Sequence, residues 1–409
     1  MFKKSLSSGL GKGAIILFIT LNIFNFLNYL FHFVMGRMLG PEDYGVLAVL
    51  MSIMLIYNIP TEAIQNLISR YTSKFNFKGG ENKIKSLMVK SLKKGIKISI
   101  IIFFIATIIA FPLSKFLDIN FWLIFISNGV IFSSFIAPIN KGIMQGRKKF
   151  GLLGWSLIVD SGLKLFFTVS LILFGFKIFG AVAGILLGIL SGLVFSFYFN
   201  RDILEKKEEK AELKKLNIEN SSYFVTTFVI FVILSLDIIL ARKFFSPEIV
   251  GKYSVISMIG KMIFFGTIAI SKTMFPLTSE KHDKNENSSK LFIKSFFIVL
   301  ILNIISITAF LFFPKLIIQI LYGNQYIDVA YLLVYSGISL SFLSLVNLNI
   351  YYCLSTKGIR KPYYLFIFLI IEIILLYTFN KNITQYTLAF MVSNIIMFIG
   401  SLFLIKGKK

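Results

Sequence analysis

The sequence predicts an all-α integral membrane protein, with about twelve transmembrane helices in two pseudo-symmetric six-helix lobes around a central cavity. Three observations predict it: long apolar runs carrying little charge, a one-sided distribution of Lys and Arg, and an echo between the two halves. Hydrophobic residues make up 56% of the 409 residues and charged residues only 15%. A water-exposed surface needs roughly 25% charged residues, so lipid must be the solvent for much of this one. The 46 Phe residues exceed what one water-soluble core would use.

A helix needs about 20 apolar residues to cross a bilayer core. Runs of this kind cover residues 14–35, 45–68, 95–113, 119–140, 151–175, 178–199, 220–241, 251–271, 291–313, 328–352, 363–379 and 386–405. They are continuously apolar and lack a period-two alternation, which favours helices over a barrel. The first follows Lys3 and Lys4, is too long for a signal peptide, and has no small-x-small cleavage site after it; it reads as a retained span. The eleventh is short and contains Glu372.

The net charge of +24 raises the possibility of nucleic acid. Position argues against that partner, because the basic residues fill short gaps between apolar runs. Only seven of the 43 Lys and Arg residues fall in the alternate loops that start after span one; most of the rest lie on the opposite side. That bias places both termini on the cytoplasmic side, and the short loops with a single cysteine fit a cell (inner) membrane. The longest basic loops are about 69–94 and 200–219. The second contains Glu205-Lys206-Lys207-Glu208-Glu209-Lys210, either a short amphipathic surface helix or a solvated linker. It marks the join between an N-terminal lobe, 1–205, and a C-terminal lobe, 206–409.

The halves echo each other. After span one comes Gly36-Arg37-Met38-Leu39-Gly40-Pro41-Glu42-Asp43-Tyr44-Gly45; after span seven comes Ala241-Arg242-Lys243-Phe244-Phe245-Ser246-Pro247-Glu248-Ile249-Val250-Gly251. Pro41 and Pro247 are 206 residues apart. A second echo joins Gln145-Gly146-Arg147-Lys148-Lys149-Phe150 to Lys357-Gly358-Ile359-Arg360-Lys361-Pro362, with Gly146 and Gly358 212 apart. Six spans per half give both halves the same orientation, related by an axis along the membrane normal.

These residues carry a resemblance. Arg37 to Gly45 resembles the first outer loop of the oligosaccharide (O-antigen type) flippases of the multidrug/oligosaccharidyl-lipid/polysaccharide exporter superfamily. Met144 to Phe150 is similar to that family's loop after span four. Asp237 with Pro247-Glu248-Ile249-Val250-Gly251-Lys252-Tyr253 is similar to its span seven and the following loop. Phe313 to Gly323, followed by Gln325-Tyr326, resembles the end of its span nine. The matches run in order over nearly the whole chain. The resemblance implies a two-lobed bundle that moves a polyprenyl-linked oligosaccharide outward. It departs where the family often has Arg directly after the span-seven Asp; this chain has Ile238.

Ionisable groups inside lipid are costly unless they face a cavity or a partner. Asp160 and Lys164 in span five, four residues apart, read either as a self-neutralising pair or as a cavity cation with a neighbour. Lys261 in span eight has no acid at helical spacing and reads as a cavity-lining cation. Arg37 joins these two lysines as a substrate-binding candidate, since an ammonium or guanidinium suits a phosphate or pyrophosphate. Arg37 and Arg242 also read as an outer gate with Asp43, Asp237 or Glu248, or as snorkelling interfacial residues. Glu62, two residues after the kink-forming Pro60, lies near the cytoplasmic mouth. Asp160, Asp237, Arg242 and Glu62 are the gate or ion-coupling candidates. Glu372 reads as a packing or coupling-ion residue. The Gly180, Gly184, Gly188 and Gly192 stripe reads as a close helix contact.

No catalytic residue, cofactor or metal site is expected. Gly9-Leu10-Gly11-Lys12-Gly13 lacks phosphate-loop spacing, and Cys353, His32 and His282 form no zinc pattern. The leading expectation is a flippase working by alternating access on a polyprenyl-(pyro)phosphate-linked oligosaccharide for surface polysaccharide biosynthesis. Its expected partners are that lipid-linked oligosaccharide, membrane lipids, and a polysaccharide polymerase and glycosyltransferases. The alternatives are a multidrug or organic-cation antiporter of the same superfamily, and a membrane polysaccharide polymerase or ligase. The outer loops are short for an enzyme of that last kind.

Overall fold

The computed structural model describes residues 9–77, 80–209, 221–284, 286–356 and 362–406. Apolar runs become helices here because lipid offers backbone groups no hydrogen-bond partner, so each run satisfies its own. Among the described residues there is no strand. The helices are α1 (Gly9–Tyr57), α2 (Ile59–Phe77), α3 (Glu81–Leu117), α4 (Phe121–Asn128), α5 (Val130–Gly146), α6 (Phe150–Leu171), α7 (Lys177–Tyr198) and α8 (Arg201–Leu204). They continue as α9 (Ser221–Phe244), α10 (Pro247–Asp283), α11 (Ser289–Phe312), α12 (Pro314–Leu321), α13 (Leu333–Thr356), α14 (Leu365–Thr378) and α15 (Ile383–Lys406).

Nine helical stretches among the described residues are long and apolar enough to cross a membrane, and the shorter Pro362–Thr378 is also apolar. This is a multi-pass membrane protein. Two stretches far exceed one crossing. Ile19–Asn76 has 58 residues, about 87 Å of helix, and is interrupted at Gly40, whose φ of 74° and ψ of 175° are not helical. Only glycine takes that conformation without strain, and Pro41 then restarts the helix with its φ preset. Pro247 likewise opens α10, but after Ser246 in an ordinary extended conformation.

Phe150–Tyr198, 49 residues, breaks at Gly175, where φ is 91°. The glycine stripe of α7 then runs back along α6. A Cβ on Gly184 would meet Thr168, one on Gly188 would meet Lys164, and one on Gly192 would meet Asp160. Numbers rise by four on α7 as they fall by four on α6, so the pair is an antiparallel hairpin. The absent side chains bring the backbones together, the close contact read from the sequence.

The helices gather into two compact units. One takes α1 up to Leu39 and then Ile53 through α8. The other takes Gly40–Ser52 with α9 to α15. The lobe boundary expected at 205/206 leaves 40–52 with the first half, whereas in the structure Gly40–Ser52 packs with the second unit.

Each unit is built alike. In the first, Ile68, Leu87, Met88, Ile139 and Ile143 pack α2, α3 and α5 together. In the second, Met274, Val299, Leu345 and Leu348 pack α10, α11 and α13. The third span of each half is the most lipid-exposed, with 17% of its apolar window buried in one and 22% in the other, whereas the fourth is 72% buried in both. A polar clasp recurs too: Asn140 Nδ2 donates to Ser196 Oγ at 2.9 Å, and Asn349 Nδ2 donates to Ser401 Oγ at 2.8 Å. The loop echo at Lys357 to Lys361 lies outside the described residues.

Candidate functional site

The second unit holds a buried polar cluster around Asp237. Helix α9 carries Asp237 inward at 0% exposure. Helix α10 presents Tyr253, Ser257 and Lys261 at intervals of four, one face of one helix. All three reach the same carboxylate. Lys261 Nζ donates to Asp237 Oδ1 at 3.1 Å, Tyr253 OH donates to Oδ2 at 3.3 Å, and Ser257 Oγ also donates to Oδ2. From α15, Tyr386 OH donates to the Asp237 backbone carbonyl at 2.7 Å and meets the Tyr253 ring edge-on at 5.5 Å.

Glu372 of α14 is 1% exposed and lies within electrostatic reach of Asp237 and Lys261. Its Oε1 has no hydrogen-bond partner among the described residues. Two carboxylates and one ammonium leave one negative charge in excess. A lone charge in such surroundings is expensive, which sets Glu372 apart from Asp237, already paired with Lys261. The described residues include no cluster of three or more His, Cys, Asp or Glu side chains able to hold a metal ion.

The first unit holds a different arrangement. Lys164 on α6 is 8% exposed. Its Nζ donates to Asn28 Oδ1 at 2.5 Å and lies 4.5 Å from the centroid of the Phe31 ring, a cation–π contact. Both partners come from α1. Asn28 is itself steadied by its Nδ2, which donates to Phe24 O at 2.8 Å. Asp160 is close enough to act on Lys164 electrostatically, yet its ion pair is with Lys141 of α5. The self-neutralising Asp160–Lys164 pair is therefore corrected. Helical spacing put the two on one face, and a lysine from the neighbouring helix claimed the carboxylate. Lys164 keeps neutral contact partners and a net positive charge.

Lys261 also differs from the sequence reading. It has no acid at helical spacing on its own helix, but Asp237 on α9 neutralises it. Arg242 is buried at 7% exposure, whereas Arg37 is exposed and Glu62 half-buried in the first turn of α2. Two carboxylates proposed for the arginine gate are held elsewhere, Asp237 by Lys261 and Glu248 by Lys252 at 2.8 Å. Tyr253, Ser257, Tyr386, Asn28 and Phe31 were missed in the sequence. The spacing of four from Tyr253 to Lys261 was a usable signal for the first two. Nothing local pointed to the others.

At one end of the first unit a third cluster ties the segment after α7 to its helices. Arg147 donates to both oxygens of Asp202, at 3.0 and 2.6 Å, and Lys149 adds a third bond at 2.8 Å. Lys206 pairs with Glu81 at 2.8 Å and Lys83 with Glu209 at 3.1 Å. The Arg147 guanidinium, helped by Lys149, holds the Asp202 carboxyl well below the usual carboxylate range. Glu81 raises the Lys206 ammonium.

Comparison with known proteins follows the same lines. The profile of the family described as polysaccharide biosynthesis protein matches residues 34–331. No curated protein matches. A multidrug resistance MATE family transporter of the MOP superfamily, in its inward-facing conformation, is 14% identical with a TM-score of 0.71, over 96% of this chain and 100% of that one. The outward-facing conformation of such a transporter gives 14% identity and a TM-score of 0.64, over 97% and 96%. A MOP superfamily transporter from Pyrococcus furiosus, described as having a binding pocket of reverse polarity that suggests a different function, gives 15% and 0.62, over 97% and 95%. With a family profile matched along most of its length and this fold throughout, the chain belongs to the polysaccharide biosynthesis protein family and is built as the MOP superfamily transporters are.

Proposed function

We propose that this protein flips a polyprenyl-(pyro)phosphate-linked oligosaccharide from the cytoplasmic to the outer leaflet of the cell membrane by alternating access, supplying surface polysaccharide biosynthesis. Both termini then lie in the cytoplasm, as the lysine and arginine bias requires. The observation that carries this reading is Lys164, a buried ammonium whose contacts are an amide and an aromatic face. A cation held without a contacting carboxylate is ready for an anion, and the phosphate between lipid and sugar is the anion such a substrate offers. Lys261, already paired, is the weaker candidate.

Glu372 and Asp237 then serve coupling. Their excess negative charge accepts a proton or monovalent cation, whose gradient can drive the cycle. The same feature supports a second reading, an organic-cation antiporter, in which Glu372 meets the substrate itself. No step of either reading breaks a covalent bond, so the protein acts as a transporter beside the polymerase and glycosyltransferases of its pathway.

The test is translocation of lipid-linked oligosaccharides in proteoliposomes, with Lys164→Ala and Lys261→Ala inserted to equal levels. Loss of one charge-assisted contact should slow transport about 10- to 100-fold for Lys164→Ala. Full transport by Lys164→Ala overturns the anion site. Transport of organic cations, abolished by Glu372→Gln, would establish the second reading instead.

A further inference from the structure

The two most lipid-exposed helices, α3 and α11, open with the same pattern. Lys93, Ile96, Lys97, Ile100 and Ile101 on α3 correspond, at a constant offset of 197, to Lys290, Ile293, Lys294, Phe297 and Ile298 on α11. The four lysines are exposed, and the six apolar side chains are between 41 and 56% exposed. On α3 the five residues line a shallow groove. Spacing of four puts each lysine pair on one helix face, about one turn apart. The apolar residues continue that face toward the bilayer, through Phe104, Ile105 and Ile108 on α3 and Ile301, Leu302 and Ile305 on α11, all exposed.

None of the four lysines has an ion-pair or hydrogen-bond partner among the described residues, although Lys83 and Lys206 nearby find carboxylates. Lysines that only snorkel need no repeated geometry. These recur at matched positions in both halves, each pair above an exposed aliphatic track. Two ammoniums one turn apart suit a phosphate, and the track below suits an acyl chain.

We propose that Lys93 with Lys97, and Lys290 with Lys294, are two binding sites for an acidic phospholipid of the surrounding leaflet, one on each half of the protein. The phosphate lies between the paired ammoniums and one acyl chain follows Ile96, Ile100 and Ile101, or Ile293, Phe297 and Ile298. The occupant is a bulk phospholipid and not the transported lipid, because the sites come in two copies on the most lipid-exposed helices. Each interfacial lysine contributes about fivefold to acidic-lipid affinity, so a pair contributes about 25-fold.

The experiment takes the full chain from nanodiscs of equal parts phosphatidylglycerol and phosphatidylcholine and counts retained lipids by native mass spectrometry. Wild type is compared with Lys93→Gln/Lys97→Gln, Lys290→Gln/Lys294→Gln, the quadruple variant, and Lys381→Gln as an exposed control. The wild type and the control should retain phosphatidylglycerol in excess. Each double variant should lose about half of that excess, and the quadruple variant all of it. A quadruple variant that keeps the wild-type excess overturns the proposal. So does a wild type that retains an added polyprenyl phosphate at these lysines but no phosphatidylglycerol.

Discussion

Gly45 and Gly251 pack backbone against backbone. A Cβ on Gly45 would lie 2.5 Å from the Pro247 carbonyl oxygen and 2.7 Å from the Gly251 nitrogen, and a Cβ on Gly251 would overlap the Pro41 carbonyl. The two loops that echo each other in sequence, Pro41 to Gly45 and Pro247 to Gly251, thus meet in one compact unit. Each supplies the glycine that the other's proline loop needs. Tyr44 extends the contact, its hydroxyl 3.4 Å from that of Tyr322 and its ring edge-on to Tyr326.

Alanine at either glycine should therefore force backbones apart. Overpacking of this kind costs about 1–3 kcal/mol, and Gly251→Ala should cost more than Gly45→Ala because its Cβ meets a carbonyl more closely. Gly266→Ala is the control, since nothing lies within 4 Å of a Cβ there; that change should be neutral or slightly stabilising. Thermal unfolding in one detergent gives the order. Equal melting of Gly251→Ala and Gly266→Ala would refute the tight contact.

How far the sequence led depends on the distance of the contact. The helices were legible because lipid demands long apolar runs, and the α6–α7 packing was legible because Gly180 to Gly192 repeats every four residues. Tyr253, Ser257 and Lys261 share that period. Their target does not: Asp237 sits on α9, and no local rule joins it to Lys261. Asp160 shows the converse, where the right spacing to Lys164 was overruled by Lys141 from another helix. Glu372 stood in a short, ambiguous run because its burial comes from packing in the folded unit. The clustering of Gly40–Ser52 with α9 to α15 had no sequence signal beyond the echo itself.

The hairpin of α6 and α7 places Lys164. A Cβ on Gly188 would strike the backbone of Lys164, and one on Gly151 would meet nothing within 4 Å. Gly188→Ala should lower stability by about 1–3 kcal/mol and reduce transport along with it by displacing the lysine. Gly151→Ala should leave both unchanged. Melting and transport measured on the same preparations check this; wild-type transport in Gly188→Ala would detach Lys164 position from function.

The Asp237–Lys261 pair allows a double-mutant cycle with a predicted asymmetry. Breaking a buried pair typically costs about 3–5 kcal/mol. Lys261→Met leaves Asp237 and Glu372 with no cation, whereas Asp237→Asn leaves Lys261 facing Glu372. The first should melt lower than the second. The double variant should melt above the sum of the single losses, as coupled residues do. Adding Glu372→Gln to Lys261→Met should restore part of the loss by removing the excess charge. Additive losses across the cycle would show that the pair contributes no coupling energy.

Asp202 anchors the segment after α7, and its attachment has a defined acid limit. Its carboxyl is held below the usual range by the Arg147 guanidinium and Lys149. A carboxyl depressed on folding adds stability above its unfolded pKa, about 4, and loses it as pH falls through the folded value. The attachment should thus be complete at neutral pH and fail only well below pH 4. The Asp202 side chain is 41% exposed, so solvent screening keeps its contribution near 1 kcal/mol. Asp202→Asn should then make the chain near Leu204 to Glu209 about fivefold easier to cut by limited proteolysis at neutral pH. Lys206→Gln, which removes only the exposed pair with Glu81, should have a smaller effect. If wild type and Asp202→Asn are cut at the same rate, the network of Arg147, Lys149 and Asp202 does not hold this segment down.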